Sequence, residues 1–247
     1  SSSGDDGFYD VIGKIDPSAG DNTRALEIAT KMKANSLEWY TADTARRKQL
    51  ENENAALGKE LQTLGMNITR GQDGVWRKED GSALFTISQR DKEQAIIPAM
   101  KENSLAWFTA SKDDQKKLAA KNKELAGYAG FTQKDGSWYT SSGALAYSLT
   151  NEEVAKAIVK QMKKNSAAWS SASEAERKRL SDENVELADR LSKKLGQKIT
   201  RNNAGEWIIN GKKLYDIYHS GGVVGGKSDE QFALLQRGEW VVSKVLR

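Results

Sequence analysis

The stretch Met32-Lys33-Ala34-Asn35-Ser36-Leu37-Glu38-Trp39 is repeated twice along the chain with few changes. Residues 100–107 read Met-Lys-Glu-Asn-Ser-Leu-Ala-Trp, and residues 162–169 read Met-Lys-Lys-Asn-Ser-Ala-Ala-Trp. The register holds through a leucine, an asparagine and a second leucine in each copy: Leu50, Asn54 and Leu57; Leu118, Asn122 and Leu125; Leu180, Asn184 and Leu187. An ungapped match over this distance predicts three tandem copies of one folding unit.

Each helical stretch leads into a segment that is punctuated by glycine and carries a second tryptophan. In the first copy this segment contains Asp73-Gly74-Val75-Trp76, and a second turn follows at Asp80-Gly81. The later copies have similar turns, among them Asp135-Gly136 and Asn210-Gly211. Asp-Gly and Asn-Gly dipeptides tolerate the positive φ angles of tight hairpin turns. Two such turns between strands at 68–70, 75–77 and 83–85 predict a three-stranded meander. The predicted fold class is α+β, with tandem repeats of a long α-helix followed by a small antiparallel β-meander.

The repeat also sets the predicted boundaries along the chain. Thr150 and Glu153 have the spacing of a capping box, in which each side chain satisfies a free amide of the first helical turn. Tyr9-Asp10-Val11 is similar to Tyr215-Asp216-Ile217, which indicates the remnant of a preceding unit. We therefore expect a remnant and linker at 1–22, repeats at 23–88, 89–149 and 150–217, and a short strand-helix-strand module at 218–247.

The composition excludes several classes of protein. The 247 residues include 38 basic and 34 acidic side chains, a net charge of +4, and the two signs are interspersed. A duplex-DNA binder concentrates Lys and Arg on one face, so we expect no specific nucleic-acid site. The chain has no cysteine, which excludes disulfides, thiolate zinc sites and cysteine nucleophiles. No apolar run approaches the roughly 18 residues that a membrane span needs.

A leucine stripe with a central asparagine runs along the late part of the helical stretches. Its spacing of four, three and four residues is that of a coiled-coil seam, where a buried asparagine fixes register and oligomeric state. One interpretation is self-association of parallel chains, and the other is packing on the chain's own hairpin or neighbouring helix. The self-association candidates are Leu50, Asn54, Leu57, Leu61, Leu180, Asn184, Leu187 and Leu191.

Every copy contains one tryptophan on the helical stretch and one on the meander. Paired aromatic rings can stack sugars or bases. A three-stranded meander is marginal in water without a helix to pack against, so we expect the rings to supply that contact as core. The predicted repeat core comprises Trp39, Trp76, Trp107, Trp138, Trp169 and Trp207.

The residues that catalysis needs are scarce. The single histidine, His219, has neither cysteines nor carboxylates at ligand spacing to complete a zinc site. No Gly-x-Ser-x-Gly elbow presents a serine, and the glycine-rich run at 221–226 matches neither a P-loop nor a dinucleotide fingerprint. We therefore predict a protein that is not an enzyme and that has no catalytic residue, metal site or cofactor.

The C-terminal part of the chain carries a second pattern. Residues 218–226 read Tyr-His-Ser-Gly-Gly-Val-Val-Gly-Gly, and residues 232–242 read Phe-Ala-Leu-Leu-Gln-Arg-Gly-Glu-Trp-Val-Val. This combination resembles a signature near the C-terminal end of tail tape-measure proteins from bacteriophages of Gram-positive bacteria. The repeated units resemble segments that accompany that signature. The residues that carry the resemblance are Tyr218, His219, Gly221, Gly222, Gly238, Glu239 and Trp240.

The resemblance implies a structural virion protein that extends in the lumen of the tail tube, sets tail length during assembly and leaves ahead of the DNA at ejection. It implies a homo-oligomer, commonly a trimer, that meets tail tube proteins and the distal tail or baseplate hub, with contact to the host envelope at ejection. The protein would be assembled in the host cytoplasm. Because hairpins interrupt the helices, the segment fits a folded anchor or plug at the tail tip better than the measuring rod.

Two other functions compete with this interpretation. Repeated hairpins that carry tryptophan could form a cell-envelope module that binds glycans. A peptidoglycan hydrolase is the second rival, because tape-measure proteins sometimes carry one elsewhere in the chain.

Overall fold

The computed structural model of the chain describes residues 19–217. Of the remnant and linker expected at 1–22, residues 19–22 belong to the first helix, whereas residues 1–18 and the C-terminal module expected at 218–247 lie outside the described residues. So do the residues of the tail signature, Tyr218, His219, Gly221, Gly222, Gly238, Glu239 and Trp240. The described part is a mixture of helices and small antiparallel sheets, which is an α+β fold.

The element order helix, helix and short strands occurs three times along the described residues. The elements of the first copy are α1 (Ala19–Trp39), α2 (Thr44–Thr63), β1 (Thr69–Arg70) and β2 (Trp76–Arg77). Those of the second copy are α3 (Gln89–Trp107), α4 (Lys112–Ala129), β3 (Thr132–Lys134), β4 (Ser137–Tyr139) and β5 (Leu145–Tyr147). Those of the third copy are α5 (Asn151–Trp169), α6 (Glu174–Leu195), β6 (Ile199–Arg201), β7 (Trp207–Ile209), β8 (Lys212–Lys213) and the short α7 (Leu214–Ile217).

The prediction of one long helix in each copy is wrong, because the helix breaks directly after its tryptophan. Four residues later a short polar side chain caps a new helix by accepting a hydrogen bond from a first-turn amide. Asp43 accepts from the backbone of Arg46 at 2.8 Å in this way. Ser111 and Ser173 do the same at the start of α4 and α6. The two helices of a copy therefore fold back on each other as a hairpin.

Glycine ends the second helix of the third copy and allows the chain to turn into the sheet. Gly196 has a φ of 63°, in the left-handed region that closes helices, and its amide bonds to the carbonyl of Ser192. Further along, Asp135 and Asn210 have φ angles of 50° and 49°, each directly before a glycine of positive φ. The predicted Asp-Gly and Asn-Gly hairpin turns at these two places are confirmed.

The sheets are smaller than predicted in the first copy. The strand orders are β3-β4-β5 and β6-β7-β8 in the second and third copies, but β1 and β2 form a two-stranded sheet. The predicted third strand of the first copy is reduced to a single bridge between Arg77 and Ala83. In the turn before this bridge, the Asp80 carboxylate accepts hydrogen bonds from the backbone and hydroxyl groups of Ser82.

The chain divides into two compact units, and the division passes through the second copy. Of the described residues, the first unit contains 19–99, Glu124–Thr132 and Tyr139–Ala146, and the second contains Met100–Lys123, Gln133–Trp138 and 147–217. The predicted repeat boundaries stay a prediction. The core of the first unit consists of Ala25, Ile28, Ala29, Met32, Leu61, Ile68, Leu84 and Phe85. The core of the second unit consists of Val154, Ala155, Ile158, Val159, Met162, Leu187, Ala188, Leu191, Leu195, Trp207, Ile209 and Leu214.

The same type of ion pair joins consecutive copies inside each unit. In the first unit, Lys33 Nζ lies 3.0 Å from the carboxylate of Asp91, at the start of the second copy. In the second unit, Lys101 Nζ lies 2.8 Å from the carboxylate of Glu153, at the start of the third copy. Both lysines follow the methionine of the repeated stretch. The two junctions therefore use equivalent sequence positions.

Candidate functional site

A pair of asparagines connects the two helices of each copy. Asn35 Nδ2 donates to Asn54 Oδ1 at 2.9 Å, and Asn54 Nδ2 donates in turn to the carbonyl of Met32 at 3.1 Å. The second copy has the same two hydrogen bonds, both at 3.0 Å, and the third has them at 3.0 and 3.2 Å. Their residues are Asn103, Asn122 and Met100, and Asn165, Asn184 and Met162. The motif asparagines therefore hold each helical hairpin closed.

This pairing places the leucine seam inside the chain's own fold. Leu57 is half-buried, and the other self-association candidates are buried: Leu50, Asn54, Leu61, Leu180, Asn184, Leu187 and Leu191. In this structure the stripe packs on the neighbouring helix of the same chain, as the second interpretation expected. Pairing of parallel chains through the same seam would require the hairpins to open.

One amide of this network is incompletely satisfied. Asn35 is 1% exposed, and its Oδ1 is the one buried side-chain oxygen or nitrogen within 19–217 that has no hydrogen-bond partner. In the third copy the equivalent oxygen, on Asn165, accepts a 2.9 Å hydrogen bond from Gln161 Nε2. Lys31 occupies the position of Gln161 in the first copy. The first copy therefore carries a buried polar atom whose desolvation is uncompensated.

A serine extends the network towards the sheet in the second and third copies. Ser104 Oγ lies 2.7 Å from the hydroxyl of Tyr147, and Ser166 Oγ lies 2.9 Å from the hydroxyl of Tyr215. Burial raises the pKa of both tyrosines above the ordinary value, and the serine hydrogen bonds oppose that rise. Both phenols therefore stay neutral, and they tie β5 in the second copy and α7 in the third copy to the helical hairpin.

The six tryptophans divide into two groups. Trp138 and Trp207, on the strands, are 9% and 8% exposed, and Trp76 is half-buried. The helix tryptophans differ, because Trp107 and Trp169 are 40% and 45% exposed and Trp39 is half-buried. The prediction that Trp107 and Trp169 belong to the core is wrong. Each ends its helix beside the turn of the hairpin, at the edge of the packed layer.

A side chain from the second helix clamps the end of the first. The guanidinium carbon of Arg47 lies 4.2 Å from the ring centroid of Trp39, and its Nε donates to the Trp39 carbonyl at 2.9 Å. Arg177 repeats both contacts with Trp169, at 4.6 and 3.0 Å. In the second copy, Gln115 donates to the Trp107 carbonyl at 3.0 Å. These side chains donate to carbonyls at the end of a helix, where the partner amide of a continuing α-helix is absent.

A groove lies between the helical hairpin and the sheet of each copy, and each groove falls within one compact unit. The first, second and third grooves have volumes of about 590, 720 and 300 Å³. All three are lined by both tryptophans, by the Asn-Ser pair, by the leucine and asparagine of the second helix and by a hairpin glycine. In the first groove these are Trp39, Trp76, Asn35, Ser36, Leu50, Asn54 and Gly74.

The first groove differs from the others in how its strand tryptophan packs. A Cβ atom added at Gly58 would lie 2.6 Å from the Trp76 ring, so this ring occupies space that a side chain would need. The equivalent positions carry Ala126 and Ala188, which are both buried. Gly58 therefore allows Trp76 to approach the backbone of α2.

The charged groups around the grooves are few and nearly balanced. Glu51 and Asp73 oppose Arg70 and Lys92 in the first groove. Asp135 opposes Lys123 and Lys194 in the second, and Arg201 is the one ionisable residue that lines the third. Asp73 also forms an ion pair with Arg77. The hydrogen bonds from Arg77 lower the pKa of the Asp73 carboxyl far below the usual range.

The described residues contain neither a cluster of metal ligands nor a helix suited to a membrane. No group of three or more His, Cys, Asp or Glu side chains between residues 19 and 217 could hold a metal ion. In the same range, none of the helices combines the length and the apolar character that crossing a bilayer requires. The three grooves are therefore the candidate functional sites of the described chain.

No family model, curated protein or solved structure matches this chain. The grooves were missed at the sequence level because the helix break was missed. One signal was present: Ser111 with Asp114, and Ser173 with Glu176, have the spacing of a helix start directly after a tryptophan. This signal predicts a hairpin whose turn carries the tryptophan, rather than a rod with the ring along its side.

Proposed function

We propose that the chain is a structural, non-enzymatic segment of a bacteriophage tail tape-measure protein, built as a tandem array of one helical-hairpin-plus-meander unit. The observation that carries the array is the recurrence of one hydrogen-bonded asparagine pair, at 2.9, 3.0 and 3.0 Å, in the three copies. The equivalent lysine–carboxylate pairs at the two junctions support it. The tape-measure assignment itself rests on the C-terminal signature at 218–242.

Within such a protein we place this segment at the tail tip, as a folded anchor or plug. A measuring rod gains roughly 1.5 Å per residue only while it stays helical. The longest described helix, α6, has 22 residues, and every hairpin turns the chain back on itself. The segment would act in tail assembly and tip plugging, and would leave ahead of the DNA at ejection.

The partners in this proposal are a homo-oligomer of the chain, with three copies as the resemblance implies, and the tube and hub proteins of the tail. The leucine seam is buried between the helices of the hairpins. A homo-oligomer would therefore form through other surfaces of the chain. The location is the lumen and tip of the virion tail, after assembly in the host cytoplasm.

The test is deletion of residues 89–149 from the gene in the phage genome, followed by measurement of tail length by electron microscopy. A folded tip segment predicts tails of unchanged length and defects in tip assembly or ejection. A rod predicts tails that are shorter by about 90 Å, given the rise per helical residue. Duplication of 89–149 is the matched control, because a rod would lengthen the tail by the same amount. Absence of the chain from purified virions would overturn the whole assignment.

A further inference from the structure

We propose that the three grooves bind neutral pyranose oligosaccharides, with the helix tryptophan of each groove as the stacking surface. All three copies have a tryptophan at the end of their first helix. Burial does not account for this residue, because Trp107 and Trp169 are 40% and 45% exposed. Stacking under arginine does not account for it either, since Gln115 replaces the arginine in the second copy while Trp107 remains.

The indole ring of the helix tryptophan lines the groove of its own copy. Trp107 lines the second groove together with Trp138, and Trp169 lines the third together with Trp207. The volume of the second groove, about 720 Å³, falls within the range of small-ligand sites, and that of the third, about 300 Å³, lies at the lower end of this range. In these two grooves the exposed indole of the helix tryptophan therefore provides flat apolar surface at a partly polar site, and the strand tryptophan supports the groove from the core.

The charges of the lining select the class of ligand. Single-stranded nucleic acids also stack on aromatic rings, but their sites add a continuous basic groove for the phosphates. The first groove has two acidic and two basic lining residues, the second has Asp135 against Lys123 and Lys194, and the third has Arg201, so the basic residues exceed the acidic ones by at most one in each groove. A neutral ligand fits this balance better than a polyanion.

The remaining lining groups suit a polyhydroxylated ligand. A pyranose ring presents a C–H face to an aromatic ring and hydroxyl groups at its edge, which need donors and acceptors. Gln133, Ser137 and Ser148 contribute amide and hydroxyl groups to the second groove. The asparagine pair below the groove is fixed by its own hydrogen bonds, so the site is pre-organised and loses little entropy on binding.

Three equivalent grooves on one chain also imply multivalent binding. A single shallow sugar site is weak, but linked sites raise the effective affinity for a polymer without any new contact. We therefore expect weak binding of short oligosaccharides and stronger retention on a polysaccharide of the same unit.

The experiment is a titration of the full chain with triacetylchitotriose and with cellotriose, followed by the indole N–H signals in NMR spectra and by calorimetry. We expect shifts of indole signals and a Kd of about 1 mM or tighter for at least one sugar. Trp107→Ala should remove the second site, and the triple variant Trp39→Ala, Trp107→Ala, Trp169→Ala should lower affinity about tenfold or more. Val185→Ala is the matched control, because Val185 is an exposed apolar residue outside the grooves.

Several outcomes would overturn the proposal. One is the absence of any indole shift in the parent chain at about 10 mM of either sugar, a result that does not depend on how the variants fold. Another is full binding by a triple variant whose melting curve shows that it is folded. A third is tryptophan-dependent binding of an oligothymidylate in place of the sugars, which would assign the grooves to nucleic acid.

Discussion

Gln161 Nε2 donates a 2.9 Å hydrogen bond to Asn165 Oδ1, whereas the equivalent oxygen of Asn35 is buried without a partner. The two atoms occupy the same position in the third and first copies. An unsatisfied buried acceptor costs free energy that a single donor recovers. The missing donor to Asn35 Oδ1 therefore makes the hydrogen-bond network of the first copy less stable than that of the third.

Lys31→Gln should repair this defect, because residue 31 is an exposed position equivalent to Gln161. The new amide would donate to Asn35 Oδ1 and raise the free energy of unfolding by about 1 kcal/mol. Urea denaturation measures this change. Lys31→Ala is the control for loss of the lysine. Equal stability of the glutamine and alanine variants would contradict the assignment of the missing donor.

Gly58→Ala should destabilise the first copy although alanine favours helices over glycine. The added Cβ would meet the Trp76 ring at 2.6 Å, and a ring packed against a helix has little freedom to move. Gly127→Ala is the matched control, because nothing lies within 4 Å of its added Cβ in α4. We expect the control to gain about 0.5–1 kcal/mol of stability. A gain of the same size for Gly58→Ala would show that Trp76 does not pack there.

The strand and helix tryptophans should respond differently to truncation. Trp138→Ala removes a ring that is 9% exposed and should cost about 3–5 kcal/mol. Trp169→Ala removes a ring that is 45% exposed, so its cost should be less than half as large. Thermal or urea unfolding of both variants measures the difference. Equal losses would mean that Trp169 belongs to the core after all.

Acid should weaken the junction between the second and third copies. A hydrogen bond from Lys101, and one from the backbone of Thr150, lower the pKa of Glu153 below its ordinary value of 4.5. A lowered carboxyl pKa in the folded state adds stability above pH 4.5, and this stability is lost as the pH falls through the folded pKa. The contribution is small, because the Glu153 side chain is 36% exposed to solvent.

Carboxyl NMR titration of Glu153 measures this effect directly. Lys101→Met should move the pKa of Glu153 back towards 4.5, but not fully, since the Thr150 amide stays in place. Thr150→Ala retains that amide and the lysine, and it serves as the control for the helix cap. An unchanged pKa of Glu153 in Lys101→Met would show that Lys101 and Glu153 do not form the ion pair at this junction.

Much of the local structure could be predicted from the sequence, because it depends on short-range patterns. The matched register located helices at 32–39 and its equivalents, and the Asp-Gly and Asn-Gly dipeptides located turns at Asp135 and Asn210. The helix break could not be predicted with the same ease. Residues 40–43 follow a strongly helical stretch, and the local sign of the break is the capping side chain of Asp43 and its equivalents, which begins the next helix.

The exposure of the helix tryptophans could not be predicted from the sequence, because it depends on where the hairpin turns. In a continuous helix, Trp107 would lie along the face that packs on the meander. In the hairpin, it lies at the end of α3, beside the turn and at the edge of a groove. The asparagines show the opposite outcome. Their helical spacing was compatible with either chain pairing or internal packing, and in this structure they contact the other helix of their own hairpin.

The central claim is that the recurring asparagines close hairpins within one chain. Light scattering and urea denaturation of Asn54→Leu and Asn184→Leu test it most directly. Each substitution removes the hydrogen bond from Asn35 or Asn165 to the second helix and the one that a methionine carbonyl accepts from residue 54 or 184, so each should lower the free energy of unfolding by about 1–3 kcal/mol. The account predicts this loss with a molar mass equal to that of the parent chain. A changed molar mass with undiminished stability of the folded chain would contradict it.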